Sequence, residues 1–442
     1  MKKHTRNRLL TLCTVAVLMG ACGPSEARPD EDPIPGTNNP HTVEPELEIL
    51  RSAEQRLLNP AVTPDDLAAQ ARASTEFSLD LYKQLIATEA VDDNLFFSPH
   101  SISSALAMTS AGARGQTLQD MEAALGFELD QARLHPFFNR VDLTLASQAK
   151  GQEKVTLNVV NAVWGQHDVA VVPTFLDTLA RNYGAGMHLL NFSDDPEGSR
   201  QVINQWVEFK TEKLIKQLLP QGVISSDTRF VLTNAIYLLA DWQSPFEAES
   251  TRDLAFNRLD NTSVNVPMMN QELGLAHSVS EAFTAVELPY AGGDFSMVLI
   301  MPAPGQLAAF EQGLDAAGLA DIIAGLSHDY VQLNLPKFEL KSAFSLKDAL
   351  VALGMESAFS DGADFSGISA LDLYITDVIH QAVVKVDEKG TEAAAATAVI
   401  IGRESASLPP DVVITLNRPF LSVIRDRTTN TILFLGRVVD PS

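Results

Sequence analysis

The chain of 442 residues contains only two cysteines, Cys13 and Cys22, and both lie near its N-terminus. The remaining chain therefore has no internal disulfide framework, no metal site built on cysteine and no cysteine nucleophile. These absences exclude a disulfide-stapled scaffold, a zinc-finger protein and a cysteine hydrolase.

Familiar catalytic motifs are missing as well. The sequence has no G-x-S-x-G elbow, no H-E-x-x-H, no P-loop and no G-x-G-x-x-G within a strand–helix–strand unit. Its nine histidines are scattered, and none has the spacing to a second histidine or a carboxylate that a metal site requires. We therefore expect neither an enzyme nor a resident metal or cofactor.

Positive charge is scarce. The formal net charge is −24 although Lys2, Lys3, Arg6 and Arg8 all lie at the extreme N-terminus, so the rest of the chain is more acidic still. Such an excess argues against binding to nucleic acid or to an anionic membrane surface. A hydrophobic content of 45% and a charged content of 20% are typical of a globular protein with a substantial core.

Residues 1–22 are predicted to be an export signal. Basic residues are followed by an apolar run from Leu9 to Met19, which is too short to span a bilayer stably, and by small residues before Cys22. The ending L-M-G-A-C resembles a bacterial lipobox, whose cysteine becomes lipid-modified, although Met19 stands where leucine is usual. We expect a membrane-anchored lipoprotein in the periplasm or at the cell surface, or a secreted protein if Cys22 is not lipidated.

Residues 23–65 are predicted to be a disordered or partly helical N-terminal spacer. The first part, to about residue 41, is rich in Pro, Asp, Glu, Asn and Gly and has little to bury. From Leu47 the pattern favours helix, and Thr63-Pro64-Asp65-Asp66 indicates a helix start. We place the folded domain at residues 66–442.

The folded part mixes helix and strand patterns, which predicts an α+β fold. Residues 173–183 and 200–219 have the apolar spacing of amphipathic helices. The run at residues 230–239 is continuously apolar, as is typical of a strand buried on both faces. Asn234 lies in its middle and needs a partner, because an unpaired buried amide costs about 1–3 kcal/mol. Further strands are predicted at residues 157–164, 264–269, 285–290, 295–302, 330–337, 375–386, 412–416, 419–425 and 431–438.

The most unusual stretch is residues 386–408. From Thr391 to Ala398 the side chains are small apart from one glutamate. Alanine is depleted in strands, and no apolar stripe gives a helix here a face to bury. Small side chains do, however, allow a backbone to slide between two existing strands. Gly390 permits a hinge before the stretch, and a charged tip follows it. An alanine-rich linker is the simpler alternative.

This stretch resembles the reactive-centre loop of the serpins, a family of serine protease inhibitors. The letters D-E-K-G-T-E-A-A-A-A-T at residues 387–397 are similar to that family's hinge motif. N-R-P-F-L at residues 417–421 and F-L-G-R-V at residues 434–438 resemble its C-terminal signature. The resemblance extends from about residue 70 to the end. It implies a serpin fold with three β-sheets, surrounding helices and an exposed reactive-centre loop at about residues 388–408.

The resemblance also implies three groups of site residues. The hinge comprises Glu388, Gly390, Thr391, Glu392, Ala393, Ala394, Ala395, Ala396 and Thr397. The shutter, where the main sheet opens, comprises Ser98, Ser101, Asn234 and His380. The breach, where the loop enters the sheet, comprises Trp242 together with Lys337 and Glu388 as an ion pair.

The function that the resemblance implies is suicide-substrate inhibition. A target serine protease, or a cysteine protease, cleaves the loop, forms an acyl-enzyme and is trapped when the loop inserts into the main sheet. The family's usual loop length puts the reactive bond at Glu404–Ser405 and implies a glutamate-preferring target. A loop one residue shorter puts it at Arg403–Glu404 and implies a trypsin-like target. We expect a monomer that contacts a membrane only through a lipid anchor. A non-inhibitory serpin, acting as a binding or surface protein, is the alternative.

Overall fold

The computed structural model describes residues 44–88, 92–151, 154–391 and 409–442. The predictions for the export signal, for Cys22 and for residues 392–408 lie outside these ranges. Within them, no helix is both long and apolar enough to cross a bilayer.

Helices surround the sheets, and the first begins where the sequence predicts. The side chain of Thr63 accepts a hydrogen bond from the Asp66 amide at 3.1 Å, which satisfies one of the free donors of the first turn. Within the described ranges the α-helices are α1 Pro64–Thr88, α2 Pro99–Ser110, α3 Gly115–Ala124, α4 Gln131–Lys150, α5 Pro173–Tyr183, α6 Pro196–Lys210, α7 Leu307–Gly313, α8 Ala316–Ala324 and α9 Lys347–Leu350.

Helix α6 is shorter than predicted. The sequence pattern suggested a helix to residue 219, but α6 ends at Lys210. Glu212 and Lys213 adopt positive φ angles of 50° and 70°, which an α-helix does not accommodate. The chain then folds back on α6, where the Asn204 side chain bonds both the amide and the carbonyl of Leu219 at 2.8 and 2.9 Å. Ile215, Leu218 and Leu219 remain buried without being helical.

The strands belong to two hydrogen-bonded networks. They are β1 Glu48–Leu50, β2 Leu95–Phe97, β3 Val155–Gln166, β4 Met187–Leu190, β5 Phe230–Asp241, β6 Arg252–Asn257, β7 Ser263–Val279, β8 Phe283–Pro289, β9 Phe295–Pro302, β10 Ser327–Pro336, β11 Phe338–Ser345, β12 Val378–Val386, β13 Gly390–Thr391, β14 Val412–Thr415, β15 Phe420–Asp426 and β16 Ile432–Val438. The main sheet has the order β1-β4-β3-β5-β13-β12-β11. The second has the order β14-β10-β7-β8-β9-β15-β16-β2, with β6 paired to β7.

Strand β7 is longer than predicted and joins strands that were expected to form two separate sheets. It continues ten residues beyond the predicted strand at residues 264–269 and ends at Val279. It pairs first with β6, then with β10 and finally with β8. The two smaller sheets expected beside the main sheet are thereby continuous with one another.

The main sheet is covered on both faces, which explains the apolar run of β5. On one face it packs on α2 and the second sheet, in the larger core. On the other face a second core forms between the sheet and α6, with Trp164 of β3 against Trp206 of α6 at 5.2 Å between ring centroids. Because both faces are buried, any polar side chain along β5 must find a partner inside the protein.

The chain before α1 contributes to the folded body, so the boundary predicted at residue 66 lies too late. Where a helical pattern was suggested, Glu48–Leu50 is instead the edge strand β1, paired antiparallel with β4. We call residues 44–63 the N-terminal strap. Its Arg56 bonds the buried Asn139 of α4 at 2.9 Å and pairs with Asp142. Three strand residues carry too little periodicity to be recognised in the sequence.

Replacing Arg56 by alanine is expected to lower the free energy of unfolding by about 1–2 kcal/mol, because the Asn139 Oδ1 atom then loses its donor. The melting temperature should fall by about 2–4 °C. Arg51→Ala is the matched control, since Arg51 is exposed in the same strap. Equal melting temperatures for the two variants would contradict the anchoring role of Arg56.

Candidate functional site

A tight turn leads from β12 back into the main sheet. We call residues 387–391 the hinge turn. The Asp387 amide donates to the Gly390 carbonyl at 3.0 Å, and Val386 pairs with Thr391. On its other side the turn pairs antiparallel with β5, where Gly390 lies opposite Asp241 and Thr391 opposite Ala240. The start of a strand is therefore already placed between β12 and β5.

Away from this turn, β5 and β12 pair directly and in parallel. The described ladder joins residues 232–236 of β5 to residues 378–382 of β12. Toward the hinge turn the two strands diverge, and residues 237–239 and 383–385 lie between the direct ladder and the turn. Strands β5 and β12 are thus paired directly at one end and separated by the hinge turn at the other.

Gly390 is required by close packing. A Cβ atom at this position would lie 2.0 Å from the carbonyl oxygen of Ala240 and 2.7 Å from the Cα of Asp241. Both are backbone atoms, so they have little freedom to move aside. Any larger residue would push the hinge turn out of the gap.

Glu388 anchors the turn to the second sheet. Its carboxylate accepts from Lys337 Nζ at 2.7 Å and from Thr251 Oγ1 at 2.8 Å. Burial alone would raise the pKa of Glu388, but these hydrogen bonds and the charge of Lys337 outweigh burial and hold the pKa below its ordinary value. The carboxylate is therefore ionised when the turn is in place.

Trp242 holds the backbone of the same turn. Its indole Nε1–H donates to the Asp387 carbonyl at 3.0 Å, and its amide donates to the Lys389 carbonyl at 2.7 Å. Its ring stacks on Tyr290 at 4.6 Å between centroids and 9° between planes. The Tyr290 hydroxyl in turn contacts Thr391 Oγ1 at 2.6 Å. Tyr290 could not be selected from the sequence, because its partners come from distant parts of the chain.

A second polar cluster lies where β5 and β12 are still paired. Asn234 lies in register with Asn161 of β3 and His380 of β12. Its amide nitrogen donates to Asn161 Oδ1 at 2.6 Å and to Ser101 Oγ of α2. The Ser101 hydroxyl also lies 3.3 Å from Asn161 Oδ1. This network supplies the partner that the sequence required for Asn234, and it adds Asn161, which the sequence did not indicate.

His380 closes the cluster as a neutral ring. Its Nε2 accepts from the Ser98 amide at 3.1 Å, so the ring proton lies on Nδ1 and is donated to Asn234 Oδ1 at 2.5 Å. Ser98 also caps α2 by accepting from the Ser101 amide at 3.2 Å. Burial lowers the pKa of His380 to about 3. The side chains of the four predicted residues, Ser98, Ser101, Asn234 and His380, are inaccessible to solvent.

This lowered pKa predicts acid sensitivity. Between about pH 6.5 and pH 3 the unfolded chain binds a proton at His380 that the folded chain does not, so stability falls as the pH falls. From pH 7.5 to 4.5 the loss from this one group is about 2–3 kcal/mol. We expect His380→Gln to be less stable at pH 7.5 but to show a pH dependence flatter by that amount in urea unfolding. His167→Gln, at an exposed position, is the control, and a slope for His380→Gln equal to the control's would contradict the prediction.

The structure thus brings the predicted residues together in two places. Ser98, Ser101, Asn234 and His380 meet beneath the middle of the main sheet, and Trp242, Lys337, Glu388, Gly390 and Thr391 meet at its open end. Predictions for Glu392, Ala393, Ala394, Ala395, Ala396, Thr397, Arg403, Glu404 and Ser405 lie outside the described residues. In the described ranges, no group of three or more His, Cys, Asp or Glu side chains is placed to hold a metal ion.

Comparison with known proteins gives consistent matches. Residues 72–441 match the family described as Serpin (serine protease inhibitor). Antithrombin-III of Mus musculus is 37% identical over 84% of this chain and 81% of its own. Leukocyte elastase inhibitor of Bos taurus is 37% identical over 84% of this chain and 98% of its own. The crystal structure of tengpin, a thermophilic serpin in the native state, matches with a TM-score of 0.78 and 29% identity, over 88% of this chain and 97% of tengpin.

Proposed function

Because this chain belongs to the serpin family, we propose that it inhibits a serine protease by trapping it as a covalent acyl-enzyme. The serine oxygen of the protease adds to the carbonyl carbon of the scissile residue, and the peptide C–N bond breaks. The serine proton passes to the departing amino group. The inhibitor is then held to the protease by an ester, and insertion of the freed loop must outrun hydrolysis of that ester.

The observation that carries the proposal is the hinge turn, which already lies between β12 and β5. Insertion of residues after Thr391 requires no new turn, because it lengthens a strand that has begun. The nearby segments of β5 and β12, residues 237–239 and 383–385, are not paired with each other, so the first inserting residues would not have to break a ladder between them. Two relatives are named for inhibition, the antithrombin and the leukocyte elastase inhibitor, which supports the same reading.

The existing register predicts how far the loop can insert before it reaches the buried cluster at Asn234 and His380. Counting six residues on from Thr391 brings residue 397 opposite Asn234 in β5 and opposite His380 in β12, since these two already face each other. Insertion to that depth must therefore break the hydrogen bond between His380 and Asn234. Thr397, whose hydroxyl both donates and accepts, is suited to replace it.

The side chains of the stretch fit this path. The Thr391 side chain faces the core. In an inserted strand that continues from it, residues 393, 395 and 397 would face the core as well, and residues 392, 394 and 396 would face α6. All are alanine or threonine except Glu392, which would be the first to enter. The ladder hydrogen bonds gained on both sides make the inserted state the more stable one.

We propose a glutamate-preferring target cut at Glu404–Ser405, with a trypsin-like target cut at Arg403–Glu404 as the alternative. The test is to incubate the protein with proteases of both classes and to look for a complex that survives denaturing electrophoresis. Mass spectrometry of the released C-terminal fragment identifies its first residue as Ser405 or Glu404. If every protease that cuts this stretch leaves only cleaved protein and no complex, inhibition is wrong and a non-inhibitory binding role is favoured.

We also propose that the protein is exported and held at a membrane as a monomer, through a lipid on Cys22. The lipobox-like ending of the first 22 residues supports this placement. Cys22→Ala should move the protein from the membrane fraction to the soluble fraction of the producing cells. Equal membrane retention of the variant and the parent would overturn it.

A further inference from the structure

The contact between Tyr290 and Thr391 joins two hydroxyl groups that have no access to solvent. Tyr290 is 0% exposed, Thr391 is 1% exposed, and their oxygens lie 2.6 Å apart. Burial raises the pKa of Tyr290 well above its ordinary value, so the phenol is neutral. A buried hydroxyl without a partner costs about 1–3 kcal/mol. Each of these groups therefore depends on the other.

Tyr290 is fixed independently of the hinge turn. It directly follows β8, and its amide donates to the Phe295 carbonyl at 3.0 Å. The next amide, that of Ala291, donates to the Asp241 carbonyl at 2.8 Å, at the end of β5. The Trp242 ring covers one face of the tyrosine ring. The Tyr290 hydroxyl thus has a position that does not depend on the hinge turn, and only one alignment of the turn places Thr391 against it.

We propose that Tyr290 is a positioning residue that sets the register in which the loop enters the main sheet. This proposal rests on the proposed inhibitory function, because it assigns how insertion starts. The bond joins Thr391 to a point at the end of β5, and it is compatible with both the present conformation and a fully inserted loop, since the pairing of Thr391 with Ala240 is common to the two.

A register error is costly at this point. A slip of one residue would bring either Gly390 or Glu392 opposite the tyrosine hydroxyl. Glycine offers no side chain, and glutamate would bring a carboxylate into the core. Such a slip would also turn every following side chain to the opposite face of the sheet. The hydroxyl pair therefore selects one of several closely spaced alignments.

Variants that remove one or both of these hydroxyl groups are expected to differ in a distinctive way. Tyr290→Phe leaves the Thr391 hydroxyl buried and unpaired, so the hinge turn should leave the gap more often. Thr391→Val leaves the tyrosine hydroxyl unpaired with the same result. The double variant removes both polar groups with little change of shape, and replacing both partners of a buried bond is close to neutral. The double variant should therefore behave more like the parent than either single variant does.

The test is amide hydrogen exchange, read by mass spectrometry, in a peptide covering residues 387–391. Exchange should be roughly 5- to 10-fold faster in each single variant, the factor expected from the loss of one hydrogen bond. It should return to within about 3-fold of the parent in the double variant. Tyr183→Phe is the matched control, because Tyr183 makes a similar bond to His135 at 2.8 Å in another part of the protein. It should leave exchange in this peptide unchanged.

Inhibition provides the second readout. The number of inhibitor molecules consumed per trapped protease should rise in both single variants and fall back in the double variant. Additive effects in the double variant, or unchanged exchange in both single variants, would overturn the positioning role. If the parent forms no complex with any protease, the proposed function fails, and the exchange pattern still decides whether Tyr290 holds the hinge turn.

Discussion

Replacing Thr391 by arginine is expected to abolish the covalent complex and to make the protein a substrate that the protease cleaves and releases. Thr391 is 1% exposed and its side chain faces Tyr290. An arginine entering this position would bring an unpaired charge into the core, at a cost of several kcal/mol. Insertion should then be slowed by at least about 100-fold. The ester would be hydrolysed first.

The measurement is denaturing electrophoresis of the variant with a protease that traps on the parent, together with the rate of appearance of cleaved inhibitor. Thr391→Ser is the matched control, since serine keeps a small side chain and a hydroxyl. It should retain the complex. Lys389→Arg controls for an added guanidinium in the hinge turn, because Lys389 is only half-buried. A Thr391→Arg protein that still forms a stable complex would contradict insertion through this gap.

Cleavage within residues 403–405 is expected to raise the melting temperature on the order of 10–20 °C. The length of β5 from Leu239 back to Phe230 gives room for about ten inserted residues, each paired in register. At about 1 kcal/mol net for each added ladder hydrogen bond, the gain is on the order of 10 kcal/mol. The increase therefore reports directly on strand addition.

Calorimetry of intact and cleaved protein measures this increase. The cleaved Thr391→Arg variant is the comparison, because its chain is cut at the same bond while the buried arginine offsets part of the gain from insertion. It should melt below the cleaved parent. If the cleaved parent melts no higher than the intact parent, the stretch at residues 392–398 does not enter the sheet, and the alanine-rich linker is the better description.

The sequence predicted the elements that depend on local pattern. The apolar run of β5, the helix start at Thr63 and the need of Asn234 for a partner all follow from residues near one another in the chain. The family resemblance then placed His380 and Ser101 beside Asn234 across separations of more than a hundred residues. Periodicity alone contains no such information.

What the sequence did not predict depends on long-range register and on single side chains. Asn161 reaches the buried cluster because β3 pairs with β5 in one alignment. Tyr290 follows a strand and would be expected to be simply core. Strand β1 at Glu48–Leu50 is too short to show alternation. The early end of α6 is accompanied by hydrogen bonds from Asn204 to the backbone of Leu219, fifteen residues further on, which no local pattern indicates.

The direction of β12 relative to β5 has a further consequence. A segment joined to β12 by a tight turn can only run opposite to β12, so it meets β5 with favourable antiparallel geometry only if β12 and β5 point the same way, as they do. Parallel ladders are slightly weaker per residue than antiparallel ones. Strand polarity thus gives β5 and β12 the weaker kind of ladder with each other, while a segment that follows the hinge turn forms the stronger kind with both of them.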